Sequence, residues 1–414
     1  MNKNYIGLDV LRGLGIFVVI WLHSAFYYFD GLYDLDLNNP PLIITVIGLL
    51  LMFAGVFAMI SGTVHTLQSL RKLESGYDFN DVVRYNAVSG FLILVVAYLY
   101  FIFTGPGLVD IANRTMNNSI FVDLIRYGKF PGFNDERLLY IDSLVMIGSN
   151  IVLLSIFMII ARNIILNKDN DSIALVYLLS GLLFFVVSII RIPLYDIYVE
   201  AADKGRCLTV FFLNWLVNKN NPVFPYLAFG LFGGWLAVLL HEGNWKKMKR
   251  SVLPVAVVLF LTGVAAYIKL PDTMLERSID PKWFAIMTAQ LGLFLMIVIA
   301  FLKIFDFRKN GREGNLSFPA KFLSRFGVAG LTAFFFESIV SAVVFRLIST
   351  GIHSIHLNVK GSLAYGFVLA VLWGCFLIFW EKKQYRYGIE YWYCRILSKF
   401  GKSAKEDKLK GMIS

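Results

Sequence analysis

Residues 8–31 read LDVLRGLGIFVVIWLHSAFYYFDG. The run is apolar and long enough to cross a bilayer as a helix, which takes about 20 residues. It nevertheless carries Asp9, Arg12 and His23. Ionisable side chains inside a span are costly and face protein or a water-filled cavity, not lipid, so this helix implies other helices around it. Asp9 and Arg12 are three residues apart and neighbours on one helix face. From Arg12 to His23 is eleven residues, about 16 Å of rise at about 100° per step, which returns to nearly the same face. The spacing predicts one polar stripe, Asp9–Arg12–His23, running from a membrane edge past the bilayer middle. Two plainer roles compete with it: Asp9 and Arg12 as mere helix anchors, and His23 as a neutral core histidine bonded to a neighbouring helix.

The rest of the 414-residue chain agrees with a membrane protein. Hydrophobic residues make up 57% and charged residues only 16%, against about 25% charged in soluble domains. Ten apolar segments are expected to span, at 7–29, 42–66, 84–104, 140–161, 173–193, 222–240, 251–270, 284–303, 328–348 and 361–381. All are read as helices, because no water in lipid can satisfy an open backbone. Two thirds of the 39 Lys and Arg residues fall on one side when the N-terminus, the loops after even-numbered spans and the tail share it. That side is read as cytoplasmic. The expected fold is therefore an all-α polytopic bundle over 1–381, both termini cytoplasmic, followed by a basic tail at 382–414. The net charge of +11 reads as this topological bias and not as a nucleic-acid face. The first segment is too long for a cleaved leader and is read as a retained helix. Cys207, Cys375 and Cys394 are odd in number and far apart, which implies neither a disulfide framework nor a zinc site.

Further polar residues stand out against this background. The second span contains Gly55, Ser61 and Gly62, small residues that allow close helix approach. Its cytoplasmic end carries His65, Arg71 and Lys72, and Arg84 opens the third span. Arginines gathered at one mouth suit a phosphorylated ligand, although the positive-inside bias also places them there. Glu337, beside Ser338, falls near mid-membrane in the ninth span; it is either functional or paired with Arg346 or another polar neighbour. The loops 105–139 and 194–221 are longer than connections need, and the second holds an apolar piece, LTVFFLNWLV, that suits a membrane interface. Phosphate-loop, zinc-helix and nucleophile-elbow motifs do not occur. His353 and His356 have no nearby carboxylate or cysteine in sequence, and no metal is expected.

Four segments resemble membrane-bound acyltransferases, namely the heparan-α-glucosaminide N-acetyltransferase-like and YeiB-like proteins and the broader acyltransferase-3 group. LDVLRG with a polar residue deep in the same helix resembles their opening signature, and the Arg12-to-His23 spacing is similar to the arginine–histidine motif of the last group. NPVFPYLAFGLFGGWLA (221–237) resembles their proline- and glycine-containing helix. SRFGVAGLTAFFFESIVS (324–341) resembles a glycine-arginine…leucine-threonine helix, with Phe335 near the family's tyrosine and Glu337 in place of glutamine. YRYGIEYWYCRIL (385–397) is similar to the YeiB-like ending at Gly388, Glu390 and Arg395. The resemblance implies transfer of an acyl group, usually acetyl, from cytoplasmic acyl-CoA to a hydroxyl or amine of a glycan or glycolipid on the other face. It implies donor binding at the Asp9–Arg12 end, and a bacterial cytoplasmic membrane as the setting. On that reading His23 is the general base, Glu337 orients it or binds the acceptor, and Arg12, Arg84 and Arg71 hold the CoA phosphates. Asp9 belongs with the catalytic set. The heparan-type enzymes place asparagine near the His23 position and their key histidine in the following loop, where this chain offers Asp30, Asp34 and Asp36. Competing readings are a permease for a small polar or anionic solute and a non-catalytic glycolipid-binding partner. Acceptor, acyl length and oligomeric state, a homodimer included, are left open.

Overall fold

Backbone groups in hydrocarbon must find their partners within the chain, and nearly all do so here as helix. The computed structural model describes residues 5–35, 41–51, 53–111, 113–132, 136–218, 220–271, 279–308, 316–351 and 356–400. In chain order the helices are α1 (Ile6–Tyr27), α2 (Leu42–Leu51), α3 (Ala54–Glu74), α4 (Phe79–Leu99), α5 (Ile120–Tyr127), α6 (Glu136–Leu139), α7 (Ser143–Ile160), α8 (Arg162–Asn167), α9 (Asn170–Val187), α10 (Arg191–Asp203), α11 (Cys207–Val217), α12 (Val223–Glu242), α13 (Trp245–Lys269), α14 (Pro281–Phe305), α15 (Phe318–Val328), α16 (Gly330–Gly351), α17 (Val359–Glu381) and α18 (Ile389–Leu397). Two short antiparallel strands, β1 (Leu108–Asp110) and β2 (Thr115–Asn117), pair with Val109 opposite Met116. Among the described residues nine helical stretches are long and apolar enough to cross a bilayer. The protein is an all-α polytopic membrane protein.

The segment expected to span at 42–66 is two helices, α2 and α3, parted at Phe53, and α3 runs on to Glu74. Its polar residues explain the extra length. Thr63, Thr66 and Ser69 are buried, and Thr63 and Ser69 bond back to the carbonyls of Met59 and His65 at 2.8 Å. This helix is surrounded by protein, so it need not be apolar throughout. Its partner is α12, which is almost wholly buried and packs on α3, α9 and α7. A Cβ on Gly62 would sit 2.1 Å from the Gly230 oxygen, and one on Gly233 2.2 Å from the Met59 oxygen. Gly62→Ala should gain about 1 kcal/mol of helix propensity but lose about 2–3 kcal/mol to overpacking against backbone. A net destabilisation of about 1–2 kcal/mol is expected in denaturant unfolding in detergent, and an unchanged midpoint would contradict this close crossing.

The loop expected at 194–221 is largely helical. The span predicted over 173–193 continues from α9 through a short 3-10 turn into α10, ending at Asp203, and α11 follows. Ile192–Pro193 reads as a helix stop, yet Pro193 falls in the first turn of α10, where a missing N–H costs little. Arg191 is fully buried. It donates from Nε to the Val217 carbonyl at 3.1 Å and from Nη2 to the Asn218 carbonyl, and it lies over the Trp283 ring. This one side chain ties the end of α11 to the α9–α10 junction.

Both ends of the described chain lie on one face, here termed the terminal face. There the Tyr5 hydroxyl donates to the Leu240 carbonyl at 2.7 Å, and the N–H groups of Ile6 and Gly7 donate to the two Asp306 oxygens at 2.9 Å each. Asp306 thus satisfies donors that α1 cannot satisfy itself. Residues 389–397, expected to be tail, form α18 on the same face. Glu390 accepts from the Thr332 N–H at 2.9 Å and from its hydroxyl, while Tyr393 bonds to Ser89. Burial pushes the Glu390 carboxyl above its ordinary value of 4.5. A raised folded value means that the docked helix holds the proton more tightly than the free one. Its contribution is complete below the ordinary value and is lost as pH rises through the raised one. Amides of 389–397 should therefore exchange faster relative to the core as pH rises from about 4.5 toward neutrality, after correction for intrinsic exchange. Equal protection throughout that range would contradict this.

The opposite face carries the hairpin and α5, whose flanking backbone is held by a buried Arg137. That side chain donates to the carbonyls of Pro106 and Asn117 at 2.9 and 2.6 Å, and also to that of Phe101. Burial lowers its guanidinium to about 10, so at neutral pH it remains a cation held by carbonyl dipoles. Ser119 Oγ adds a bond to the Gly105 carbonyl at 2.7 Å. The β-hairpin and α5 consequently form a built cover over the end of the bundle.

Candidate functional site

The site is assembled beneath that cover, where α1 and α16 meet and α16 packs on the turn Tyr100–Thr104 that follows α4. His23 lies one turn before the end of α1, and Glu337 lies on α16, which packs against α1. The contact between helices one and nine that the sequence left open is present: His23 Nδ1 is 2.7 Å from Glu337 Oε1. The Tyr100 hydroxyl donates to the same oxygen at 2.9 Å. Glu337 and Tyr100 are each only 1% exposed. Tyr27 and Phe334 flank the imidazole with tilted rings at 6.0 and 6.3 Å. An ionised Glu337 can only accept, which assigns the proton to His23 Nδ1 and leaves Nε2 with a free lone pair. Glu337 Oε2 is buried and has no hydrogen-bond partner among the described residues.

A cleft of about 300 Å³, counted with the solvent at its open mouth, is lined by His23, Glu337, Ser338, Ser341, Asn118 and Arg126, among others. Arg346 does not pair with Glu337. It donates instead to the Ile125 carbonyl in α5 and so fastens the cover to α16.

Sequence reasoning passed over two members of this neighbourhood. Tyr100 begins a single π-helical turn, Tyr100–Thr104, closed by the Gly105 N–H on the Tyr100 carbonyl at 2.6 Å. Such turns are rare and recur at functional sites, but a tyrosine within an apolar span gives no local sign of one. Asp142 caps α7 by accepting from the Val145 N–H at 2.8 Å. Its second oxygen is buried with no partner among the described residues, and it lies close enough to His23 and Tyr100 to bear on both. An acid directly before a long apolar run was the available signal, and it reads first as an ordinary helix cap.

The predicted stripe on α1 is two polar ends and not one path. Asp9 and Arg12 pair at 2.9 Å, about one third exposed, near the terminal face. Between them and His23, Ile16 and Ile20 are buried in one apolar cluster with Phe57 and Phe326. The helical steps from 12 through 16 and 20 to 23 bring isoleucines onto the connecting face, and the neighbouring helices close over them. Arg71 and Arg84 are also near the terminal face, each with a different neighbour: Arg71 lies 5.7 Å from the Tyr5 ring centre, and the exposed Arg84 lies 6.0 Å from that of Phe400. The structure therefore brings His23 and Glu337 together but leaves Asp9, Arg12, Arg71 and Arg84 in a separate district.

The acids that follow α1 are engaged elsewhere. Asp30 bonds to His356 at 3.0 Å and Asp34 to Arg114 at 2.8 Å; Asp36 and His353 lie outside the described residues. Among the described residues no group of three or more His, Cys, Asp or Glu side chains could hold a metal ion. No protein-family model matches the chain, and no curated protein matches it.

Proposed function

We propose that this protein is a transmembrane acyltransferase that moves an acetyl or related acyl group from acyl-CoA at the terminal face to a hydroxyl or amine of a glycan or glycolipid entering the cavity under α5. The observation that carries this reading is the Tyr100–Glu337–His23 hydrogen-bonded chain, which ends in an imidazole that lines an open cavity. A neutral imidazole oriented by a carboxylate suits general-base work near neutral pH. His23 takes the proton of the acceptor O–H or N–H as that atom bonds to the thioester carbonyl carbon. The C–S bond breaks, and the CoA thiolate leaves and is reprotonated by the imidazolium. Arg12, with Arg71 and Arg84, offers cations for the donor's phosphates at the terminal face, which the Lys and Arg bias favours as the cytoplasmic side; a bacterial membrane is the setting that the acyltransferase resemblance implies. The slender pantetheine arm would have to displace the apolar cluster of Ile16, Ile20, Phe57 and Phe326 to reach His23.

A permease for a small anionic solute is the competing reading. The same apolar cluster between two polar ends is what an occluded transport path would present. Acetyl-CoA binding separates the two. Purified protein in detergent should bind acetyl-CoA, and Arg12→Ala should weaken that binding by at least about 10-fold, since a charge-assisted contact contributes about 1.5–3 kcal/mol. Wild type with no affinity for any acyl-CoA would reject the acyltransferase and favour the permease.

A further inference from the structure

Arg126 takes no part in the proton transfer described above, yet it lines the same cavity as His23 and Glu337. It lies in the last turn of α5, half-buried. Its guanidinium sits 4.6 Å from the centre of the Tyr28 ring, and one of its nitrogens lies 3.5 Å from Met116 Sδ. Neither neighbour neutralises it; both restrict where it can point. The backbone one residue earlier, at Ile125, is held by Arg346 from α16. Thus the helix that carries Glu337 also fixes the height of Arg126 over the cavity. Asp123, one turn earlier in α5, is occupied as acceptor for Asn118 Nδ2 at 2.8 Å.

The lining is electrically lopsided. It holds one cation from the cover, Arg126, and one buried carboxylate from α16, Glu337, with Asn118, Ser338 and Ser341 supplying neutral polar groups. A ligand with an acidic group would be repelled from the Glu337 end and drawn to the Arg126 end. The planar guanidinium, already oriented on an aromatic face, matches the two oxygens of a carboxylate or phosphate. A ligand so placed turns its opposite end toward His23.

We propose that the cavity is an acceptor site for an anionic compound, a sugar acid or a sugar phosphate, with the acidic group on Arg126 and the acyl-accepting hydroxyl or amine toward His23. The role given to the His23 end rests on the acyltransferase reading, whereas the anion site at Arg126 does not. The test uses the full chain in detergent at low salt and three probes that share a pyranose ring: methyl β-glucuronide, glucose 1-phosphate and neutral methyl β-glucoside. At least one anionic probe should bind about 10-fold or more tightly than the neutral one, the ratio expected for one charge-assisted contact. That preference should vanish in Arg126→Gln, persist in part in Arg126→Lys, and be unchanged in Lys129→Gln, which removes an exposed cation from the same segment. Whichever anionic probe binds better distinguishes carboxylate from phosphate. Equal binding of all three probes, binding of none, survival of the preference in Arg126→Gln, or its equal loss in Lys129→Gln would overturn the proposal. An Arg126-dependent preference in a protein that never turns over acetyl-CoA would leave the anion site standing and remove the acyltransferase reading.

Discussion

Replacing His23 by glutamine is expected to slow acetyl transfer by about 10²- to 10⁴-fold, the usual contribution of a positioned general base, while the protein stays folded. Glutamine can still donate an amide N–H to Glu337, so the buried carboxylate keeps a partner, but it offers no nitrogen that can accept a proton. The change therefore removes chemistry and spares packing. Transfer rates with saturating acetyl-CoA, measured beside thermal unfolding of the same preparation, separate the two. A rate within about threefold of wild type, well inside the loss expected of a general base, would exclude His23 from the reaction.

Glu337 offers a second, two-sided expectation. Glu337→Ala leaves the Tyr100 hydroxyl and the His23 Nδ1–H without the acceptor they share. An orphaned buried donor costs about 1–3 kcal/mol. His23 is partly exposed to the cavity and can recruit water, so the expected loss of stability is about 2–4 kcal/mol, chiefly from Tyr100 and the void. Glu337→Gln should be far milder for the fold, because its oxygen can still accept from Tyr100. It should nevertheless slow transfer by about 10-fold or more, the difference between a charged and a neutral acceptor. The amide oxygen at the shared position still accepts from both Tyr100 and His23, but it carries no negative charge to stabilise the imidazolium that forms as the acceptor loses its proton. A Gln variant as active as wild type would show that Glu337 is structural only.

The spans were largely legible because burial in lipid demands apolar length, and that demand is written locally in the sequence. His23 and Glu337 were legible for the converse reason, since each is too costly in a span to lack a partner. That they are each other's partner was not legible. They lie 314 residues apart, and the periodicity of a helix records which face is polar, not which helix meets it. Tyr100 was invisible because its hydroxyl rides on a ring that suits an apolar span, and only the tertiary contact with Glu337 shows what it does. The continuous stripe on α1 was over-read. Its ends share a face, but Ile16 and Ile20 occupy that face between them, and their side chains are buried with Phe57 and Phe326. The break at Phe53 was missed because α3 is sheltered by α12, so hydropathy alone misplaced its limits.

The measurement that bears most directly on the central claim is sided acetyl transfer in proteoliposomes. Radiolabelled acetyl-CoA is supplied at the terminal face only, acceptor glycosides at the other, and wild type is compared with His23→Gln. The account predicts acetylated acceptor on the far side with wild type, and loss of that product with His23→Gln while acetyl-CoA binding is retained. Wild type that leaves acetyl-CoA intact, or equal turnover by His23→Gln, would contradict it.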